Sequence, residues 1–494
     1  MSGPDRPMRA RLSDATLAQA QARAETPAYA RGDVACGIVH LGLGAFHRAH
    51  MAAYVDTSLA SDPRWGITGV SLRSDATRAA LTPQNGLYTL TTEGAEGARH
   101  RIIGSVLSAV TGADAARAAL LAPETKIVSM TVTEKGYRRD PATGRLNLSD
   151  PDVAADIAGA RPAKTLPGVL VRALSQRRAE GLAPPTLLSC DNLPSNGATL
   201  RRILLDFVAE AAPGELTWFE DTLACPSTMV DRIVPATTDE ARAAASAAIG
   251  LDDEWPVIAE PFTQFVVEDR FAAGRPDWEA AGVTMTDDVA PYEAMKLRML
   301  NGAHSTLAYL GYLAGFETVA EAMADPPLRR LITELMEEEI APTLTLPPGV
   351  DALGYGAALR ERFDNPALRH RTWQIAMDGS QKLPQRLLAT LRDRRAAGRG
   401  HDRLALGVAA WIRYAAGRDE AGQAIDVRDP LADRFREIAG RSDGPEALAR
   451  RFLALEDVFG ADLSADAAFA DTICGLTRQL FESGVQGALS RMSR

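Results

Sequence analysis

A lysine, an asparagine and a histidine interrupt an otherwise apolar helical run in the second half of the chain. Lys296, Asn301 and His304 follow one another with four and two residues between them. At about 100° per residue, Asn301 lies roughly 140° and His304 roughly 80° around an α-helix from Lys296, so all three share one arc. Burial of an ammonium group is costly, and a lowered pKa that leaves a neutral amine relieves that cost. The pattern predicts a pocket with a basic amine; the alternative is that Lys296 reaches solvent or pairs with Glu293.

A Gly-x-Gly turn stands between the first apolar run and a helical window. Gly42 and Gly44 end the run, and Ala45, Phe46 and His47 lead into the helix. Such glycines permit a tight turn and let backbone N–H groups at a helix start approach the pyrophosphate of a dinucleotide. The third glycine of the usual motif is absent, because Phe46 or His47 stands about where it belongs. The turn predicts dinucleotide binding, with a plain strand-to-helix turn as the alternative.

The residues after the second apolar run bear on which dinucleotide binds. Arg73, Ser74 and Asp75 stand about where a dinucleotide-binding domain carries an acidic residue. Asp75 would bind the ribose of NAD, whereas Arg73 with Ser74 would hold the 2′-phosphate of NADP. We expect NAD, with NADP as the alternative. His47 and His50 have the spacing of a metal pair, but no third ligand is near in sequence, and we expect no metal there.

Parallel strands and helices are expected to position these residues. Apolar runs of strand length alternate with helical windows in the first half of the chain. The runs are residues 37–42, 67–72, 127–132 and 186–190, and the windows are 48–59, 113–121 and 166–181. This alternation predicts a doubly wound α/β domain with a parallel sheet.

The second half of the chain has a different pattern. After about residue 289 the strand signals fade, and long helical windows are broken near Pro326, residues 342–348, Pro384 and Pro430. A mainly helical domain is therefore expected. The predicted boundaries are a lead-in over 1–32 with one helical stretch near 14–24, the α/β domain over 33–288, and the helical domain over 289–494.

Composition and charge narrow the class of protein. The 494 residues include 54 basic and 64 acidic ones, a net charge of −10, which argues against a nucleic-acid-binding surface. Apolar runs stop well short of the roughly 20 residues that a membrane span needs, and the N-terminus lacks a signal-peptide core. The cysteines lack the spacing of a metal site or a disulfide scaffold. We expect a cytoplasmic protein with a small-molecule substrate and no nucleic-acid or membrane partner.

Four segments together resemble the polyol-specific long-chain dehydrogenases, the mannitol dehydrogenase family. They are residues 38–50, 189–192, 228–235 and 296–304, and the resemblance extends from about residue 38 to residue 424. It implies a Rossmann-type dinucleotide-binding domain, a mainly helical substrate domain, an active site between the two, and hydride transfer with NAD and without a metal. Relatives in this family are often monomeric, so a monomer is expected.

The resemblance also implies roles for individual residues. Lys296 matches the family's general acid and base, which takes the alcohol proton as the hydride leaves for nicotinamide. Asn301 and Asn192 match two amides that polarise the substrate oxygen, an oxyanion-hole arrangement. His304 matches a residue that orients substrate hydroxyls and the lysine.

Three acidic residues match further positions of the family. Glu293 and Glu134 match acids that help protons to reach solvent. Asp231 matches an active-site acid that binds a substrate hydroxyl or tunes the lysine. The alternative for Asp231 is a buried ion pair with Arg232.

One segment bears on the branch of the family. Lys382 matches a substrate-binding lysine, and Gln374 stands where mannitol 2-dehydrogenases tend to carry an arginine. Several segments look closer to the fructuronate reductases, namely residues 131–137, 268–269 with 274–278, 370–386 and 406–414. A hexuronate carries a carboxylate that asks for a guanidinium or ammonium, and Arg371, Lys382 and Arg386 are candidates. We therefore favour D-fructuronate and D-mannonate as the substrates; the alternatives are D-mannitol with D-fructose, or another polyol or hexuronate. The alternative for the arginines is pairing with phosphates or with Asp378.

Two other classes of protein compete with this interpretation. A zinc-dependent polyol dehydrogenase needs a cluster of cysteine, histidine and glutamate ligands, and the histidines here do not cluster with cysteines in sequence. A nucleotide sensor would use the same glycine turn but has no need of a lysine and two amides around a hydride acceptor. Both alternatives are less favoured.

Overall fold

Two units of the chain, Met1–Ala290 and Pro291–Arg494, each enclose a hydrophobic core of their own. The computed structural model describes residues 9–72, 74–94, 96–140, 143–159, 161–366 and 369–492. Arg73, predicted to contact the coenzyme, lies outside the described residues.

The strands of the first unit form three sheets. They are β1 (Ile38–Leu41), β2 (Ile67–Ser71), β3 (Tyr88–Gly94), β4 (Gly97–Ile103), β5 (Val106–Thr111), β6 (Ile127–Met130), β7 (Thr186–Ser189), β8 (Thr228–Asp231), β9 (Val257–Ala259), β10 (Gln264–Glu268) and β11 (Thr284–Thr286). The largest sheet has five parallel strands in the order β5-β2-β1-β6-β7, and the smaller ones have the orders β4-β3-β9 and β11-β10-β8.

The four strands predicted from apolar runs are confirmed as β1, β2, β6 and β7. Every residue of β1, β6 and β7 is buried, which is why these strands are mainly apolar in sequence. The edge strand β5 was not predicted. Most of its residues are only half-buried, so it lacks that pattern. The doubly wound α/β prediction for this unit is correct.

Helices cover the parallel sheet. The α-helices of the first unit are Ala45–Ala49, Met51–Ser58, Ala76–Leu81, Ala113–Leu121, Pro151–Ile157, Leu166–Ala179, Asn196–Ala211, Leu216–Thr222 and Asp239–Ile249. The predicted helix near residues 14–24 is only a short 3₁₀ turn, Leu17–Ala20. The lead-in is held instead by packing, since Leu12 and Ala20 are fully buried against Leu87 and Ile102.

The second unit is helical, as predicted. Its α-helices are Ala290–Met295, Ala303–Leu313, Val319–Ala324, Pro326–Glu334, Ala352–Phe363, Thr372–Ala376, Gly379–Leu383, Ala389–Ala396, Asp402–Ala415, Ala432–Gly440, Pro445–Leu453, Glu456–Ser464 and Ala467–Met492. Within the described ranges, no helix is long and apolar enough to cross a bilayer.

Among the described residues of the second unit, three segments are π-helical. They are Lys296–Gly302, Leu335–Ile340 and Pro384–Leu388. The predicted helix break at Pro384 is wrong, because the chain stays helical from Gly379 to Ala396 through the third of these segments. Proline clashes with the carbonyl four residues earlier in an α-helix, and a wider π-turn relieves that clash.

Candidate active site

The helix that carries Lys296 changes its winding at that residue. An α-helix ends at Met295, the π-helical segment spans Lys296–Gly302, and an α-helix resumes at Ala303. The 100° spacing assumed from sequence is therefore wrong across this segment. A π-turn bonds residues five apart, so Lys296 and Asn301 lie one π-turn apart on the same side. Lys296 is 9% exposed and Asn301 is half-buried.

A close backbone approach places Arg386 beside this helix. A Cβ at Gly302 would lie 2.6 Å from the backbone oxygen of Arg386, so glycine allows the segments Lys296–Gly302 and Pro384–Leu388 to meet. Arg386 Nη1 donates a hydrogen bond to Ser305 Oγ at 3.0 Å. The guanidinium thus contacts the residue that directly follows His304 in the helix.

His304 lies at the centre of an aromatic and cationic cluster. Its ring stacks on Phe363 with centroids 5.0 Å apart, and His370 packs edge-on to it at 4.8 Å. Burial lowers the pKa of His304 well below its ordinary value, and His370, Arg386 and Arg362 lower it further. The imidazole is therefore neutral at neutral pH, and its buried Nε2 has no hydrogen-bond partner in the described part of the chain.

The predicted substrate residues differ in their relation to His304. Lys382 also lowers the pKa of His304, and its Nζ donates a hydrogen bond to the backbone oxygen of Met377 at 2.5 Å. Arg371 and Gln374 are exposed, at and just beyond the start of the helix Thr372–Ala376.

Two members of the cluster were missed by the sequence reasoning. Arg362 is buried and lies far from the His304 motif in sequence. His370 belongs to a segment already singled out from sequence, but its side chain was given no role.

In the first unit, the Gly-x-Gly turn follows β1 at the carboxyl edge of the parallel sheet. Gly42 has a φ of +94°, and a Cβ there would collide with the Thr131 carbonyl oxygen. Gly44 has a φ of −85° and caps the helix Ala45–Ala49, and the nearest atom to a Cβ would be 3.8 Å away. Gly42 is thus needed for the fold, whereas Gly44 leaves open space beside the backbone. Ligands of doubly wound sheets bind at this edge.

The two glycines provide a matched pair of variants. Gly42→Ala should lower the free energy of unfolding by at least about 1–2 kcal/mol, because an L-residue resists this backbone conformation. The melting temperature should fall by roughly 2–8 °C. Gly44→Ala should keep the melting temperature and weaken NADH binding, because its new methyl group fills the space for the pyrophosphate. Thermal denaturation measures the melting temperature of each variant, and fluorescence titration measures its binding of NADH. An equal fall in melting temperature for the two variants would contradict this interpretation.

Two buried histidines support the glycine turn. The rings of His40 and His47 stack with centroids 3.3 Å apart. His40 Nδ1 hydrogen-bonds with Ser129 Oγ at 2.8 Å, and its Nε2 hydrogen-bonds with Thr131 Oγ1 at 2.9 Å, so it ties β1 to β6. Burial lowers the pKa of His40 to about 3 and that of His47 well below its ordinary value. Both nitrogens of His47 are buried and have no hydrogen-bond partner within the described residues.

The other predicted coenzyme residues lie at or near the turn. Ala45 and Phe46 begin the short helix, and Phe46 stacks on His50 with centroids 5.1 Å apart. Asp75 is exposed just beyond β2 and forms an ion pair with Arg78 at 2.5 Å. Its carboxylate is thus on the surface at the start of the helix Ala76–Leu81.

Asp191 organises the neighbouring loops and was missed by the sequence reasoning. Its carboxylate accepts hydrogen bonds from the backbone N–H groups of Val132 and Thr133 and from the Tyr137 hydroxyl. Burial raises its pKa. It thereby joins the loop after β6, which carries exposed Glu134, to the loop after β7, which carries exposed Asn192. Its position directly before Asn192 was the available signal.

Asp231 ends β8 and is 4% exposed. Asn196 connects this strand to the Asn192 loop, since its Nδ2 donates hydrogen bonds to the backbone oxygens of Asp191 and Thr228. The Arg232 guanidinium donates hydrogen bonds to the backbone oxygens of Glu260 and Ala49.

A glycine turn at the carboxyl edge of a parallel sheet, together with a helical unit that carries a buried lysine, is typical of dinucleotide-dependent oxidoreductases. Two family models match the chain: the mannitol dehydrogenase Rossmann domain over residues 36–280 and the mannitol dehydrogenase C-terminal domain over residues 288–480. The protein belongs to the mannitol dehydrogenase family and is an oxidoreductase that acts on CH–OH groups.

Relatives that are named for different substrates are similar to this chain to nearly the same degree. D-Mannonate oxidoreductase of Escherichia coli is 44% identical, over 92% of this chain and 95% of the relative. Mannitol 2-dehydrogenase of Pyrenophora tritici-repentis is 43% identical, over 90% of this chain and 80% of the relative. The ternary complex of Pseudomonas fluorescens mannitol 2-dehydrogenase with NAD and D-mannitol has a TM-score of 0.86 and 37% identity, over 98% of this chain and 99% of that chain. Similarity alone leaves the substrate open.

A catalytic zinc ion would need a cluster of ligand side chains. Within the described ranges, no group of three or more histidine, cysteine, aspartate or glutamate side chains could hold a metal ion.

Proposed function

We propose that the protein interconverts D-mannonate and D-fructuronate by hydride transfer with NAD(H), with Lys296 as the general acid and base. The observation that carries the choice of substrate is the set of cations around His304. Arg386, Arg362 and Lys382 all act on its imidazole. A carboxylate would gain from such a field, whereas the terminal hydroxyl of a hexitol would gain much less.

The proposed reaction consists of two transfers, one of a hydride and one of a proton. Bound NAD would accept the hydride that leaves the alcohol carbon. In oxidation, the neutral Lys296 amine takes the hydroxyl proton, and the C–O single bond becomes a carbonyl. In reduction the Lys296 ammonium returns that proton to the oxygen. Asn301 and Asn192 are proposed to donate hydrogen bonds to this oxygen, where negative charge develops.

The remaining proposed roles concern substrate orientation and proton transfer. His304 is neutral and can orient substrate hydroxyls, and Asp231 is proposed to accept a hydrogen bond from another hydroxyl. Glu293 and Glu134 are proposed to pass protons to solvent. Lys382 is proposed to bind the substrate, as are Arg371 and Gln374.

The glycine turn fits a dinucleotide phosphate. A phosphate group would fill the open space beside Gly44, and its oxygens would accept a hydrogen bond from the one N–H of neutral His47. We propose that Gly42, Gly44, Ala45, Phe46 and His47 form this phosphate site, and that Asp75 binds the ribose of NAD. Arg73 is retained as the residue that would instead favour NADP. The monomeric state expected from the resemblance and the cytoplasmic location expected from the composition remain proposals.

Oxidation of D-mannitol to D-fructose is the second candidate. The likeness to the mannitol 2-dehydrogenase complex with D-mannitol favours it. Initial rates with NADH and D-fructuronate, D-tagaturonate or D-fructose, each in the same assay, decide between the two. We expect a kcat/KM for D-fructuronate at least about tenfold above that for D-fructose, because a charge-assisted hydrogen bond contributes about 1.5–3 kcal/mol. A preference for D-fructose would overturn the proposal.

A further inference from the structure

His370 is held in place by its backbone. The Val319 N–H donates a hydrogen bond to the His370 carbonyl oxygen at 3.0 Å, and the Thr372 hydroxyl donates one to the Phe316 carbonyl oxygen at 2.9 Å. Arg369, directly before it, has a φ of +42°, a backbone conformation that non-glycine residues seldom adopt. These hydrogen bonds therefore hold the backbone that carries the His370 side chain.

The imidazoles of His370 and His304 leave polar atoms unsatisfied in one cluster. Their rings meet edge-on at 4.8 Å. His370 Nδ1 and His304 Nε2 are both buried, and neither has a hydrogen-bond partner among residues 9–72, 74–94, 96–140, 143–159, 161–366 and 369–492. Buried polar atoms in folded proteins nearly always have partners, so two such atoms on rings in contact with each other indicate a site for a polar ligand.

The surroundings define which ligand would fit. Burial lowers the pKa of His370, so its neutral ring carries one N–H donor and one acceptor. Arg386 contacts Ser305, the residue after His304, and its positive charge, with those of Arg362 and Lys382, favours an anion at this cluster. A carboxylate combines negative charge with oxygen atoms that accept hydrogen bonds, so it can take the N–H of a neutral imidazole.

We propose that His370 is a specificity-determining residue whose Nδ1–H donates a hydrogen bond to the carboxylate of the hexuronate or hexonate, beside a hydroxyl held by His304. The inference rests on the proposed function. In this proposal, the uncharged imidazole of His370 recognises the carboxylate together with the cations of the cluster.

The test uses variants of the full-length enzyme. His370→Phe keeps a ring against His304 and removes both nitrogens, and His370→Asn restores a short donor. For His370→Phe we expect kcat/KM for D-fructuronate to fall about 10- to 100-fold, with kcat/KM for D-fructose and NADH binding within about twofold of wild type. His370→Asn should recover part of the loss. Thermal denaturation checks that both variants fold.

The outcomes separate this inference from the proposed function. If wild type prefers D-fructose, the proposed function fails, irrespective of the variants. If wild type prefers D-fructuronate and His370→Phe lowers both substrates equally, or neither, His370 has no role in specificity and the inference is overturned. Only a selective loss for the uronate, with partial recovery in His370→Asn, supports it.

Discussion

Replacement of Lys296 by alanine should reduce turnover by at least about 10²- to 10⁴-fold, the usual contribution of general acid–base catalysis. The loss should be larger still because the ammonium also stabilises charge on the substrate oxygen. NADH binding should be unchanged, since the glycine turn belongs to the other unit of the chain. Steady-state kinetics and NADH fluorescence titration measure the two effects.

Controls make the Lys296 result specific. Lys164→Ala removes an exposed lysine and should leave turnover at the wild-type rate. In wild type, alcohol oxidation should rise with pH as the Lys296 ammonium loses its proton, and carbonyl reduction should fall. Lys296→Ala should lose this dependence. Turnover within about tenfold of wild type would refute the assignment, whereas intact NADH binding without turnover would exclude the sensor interpretation.

The second large effect is expected for Arg386→Gln. Its guanidinium lies against Ser305, next to His304, and its loss removes a cation from the proposed carboxylate site. We expect kcat/KM for D-fructuronate to fall about 10- to 100-fold, and that for D-fructose to change by less than about threefold. Initial rates with both acceptors measure the effect.

Two further variants test whether the Arg386 effect is one of charge. Arg386→Lys keeps the positive charge and should recover part of the loss, although an ammonium lacks the planar fork of a guanidinium. Arg441→Gln makes the same charge change at an exposed surface pair with Glu437 and should have no effect on either substrate. Equal losses for D-fructuronate and D-fructose in Arg386→Gln would assign it a structural role.

The parallel sheet could be predicted because its signals are local. Residues 38–41 and 127–130 are buried on both faces, so each strand reads as a short apolar run with turn residues beside it. The helical second unit could be predicted for the same reason, since its helices have long periodic windows. Strand β5 could not be recognised, because an edge strand with half-buried residues resembles a loop in sequence.

The winding of the helix at Lys296 could not be predicted. A π-helical segment has no clear sequence signal, and here it accompanies a close approach to the backbone of residue 386 that only glycine at residue 302 permits. The 100° rule, from which the shared arc was predicted, therefore misplaced Asn301 around the helix.

The cluster around His304 is assembled from distant segments. Arg362, His370 and Arg386 lie between 58 and 82 residues after His304 in the chain, and no spacing rule brings them together. The resemblance to the family identified Lys382 and drew attention to Arg371 and Arg386. Tertiary packing, however, determines which cations lower the pKa of the His304 imidazole. Asp191 is a similar case, since its role depends on three donors in another loop.

The central claim is that the site selects a substrate with a carboxylate. The most direct measurement is the equilibrium binding of D-mannonate and of D-mannitol to the NAD-loaded wild-type protein by calorimetry, without reliance on turnover. We expect D-mannonate to bind at least about tenfold more tightly, and added salt to weaken it more than D-mannitol. Equal or tighter binding of D-mannitol would contradict the carboxylate site and favour a mannitol 2-dehydrogenase.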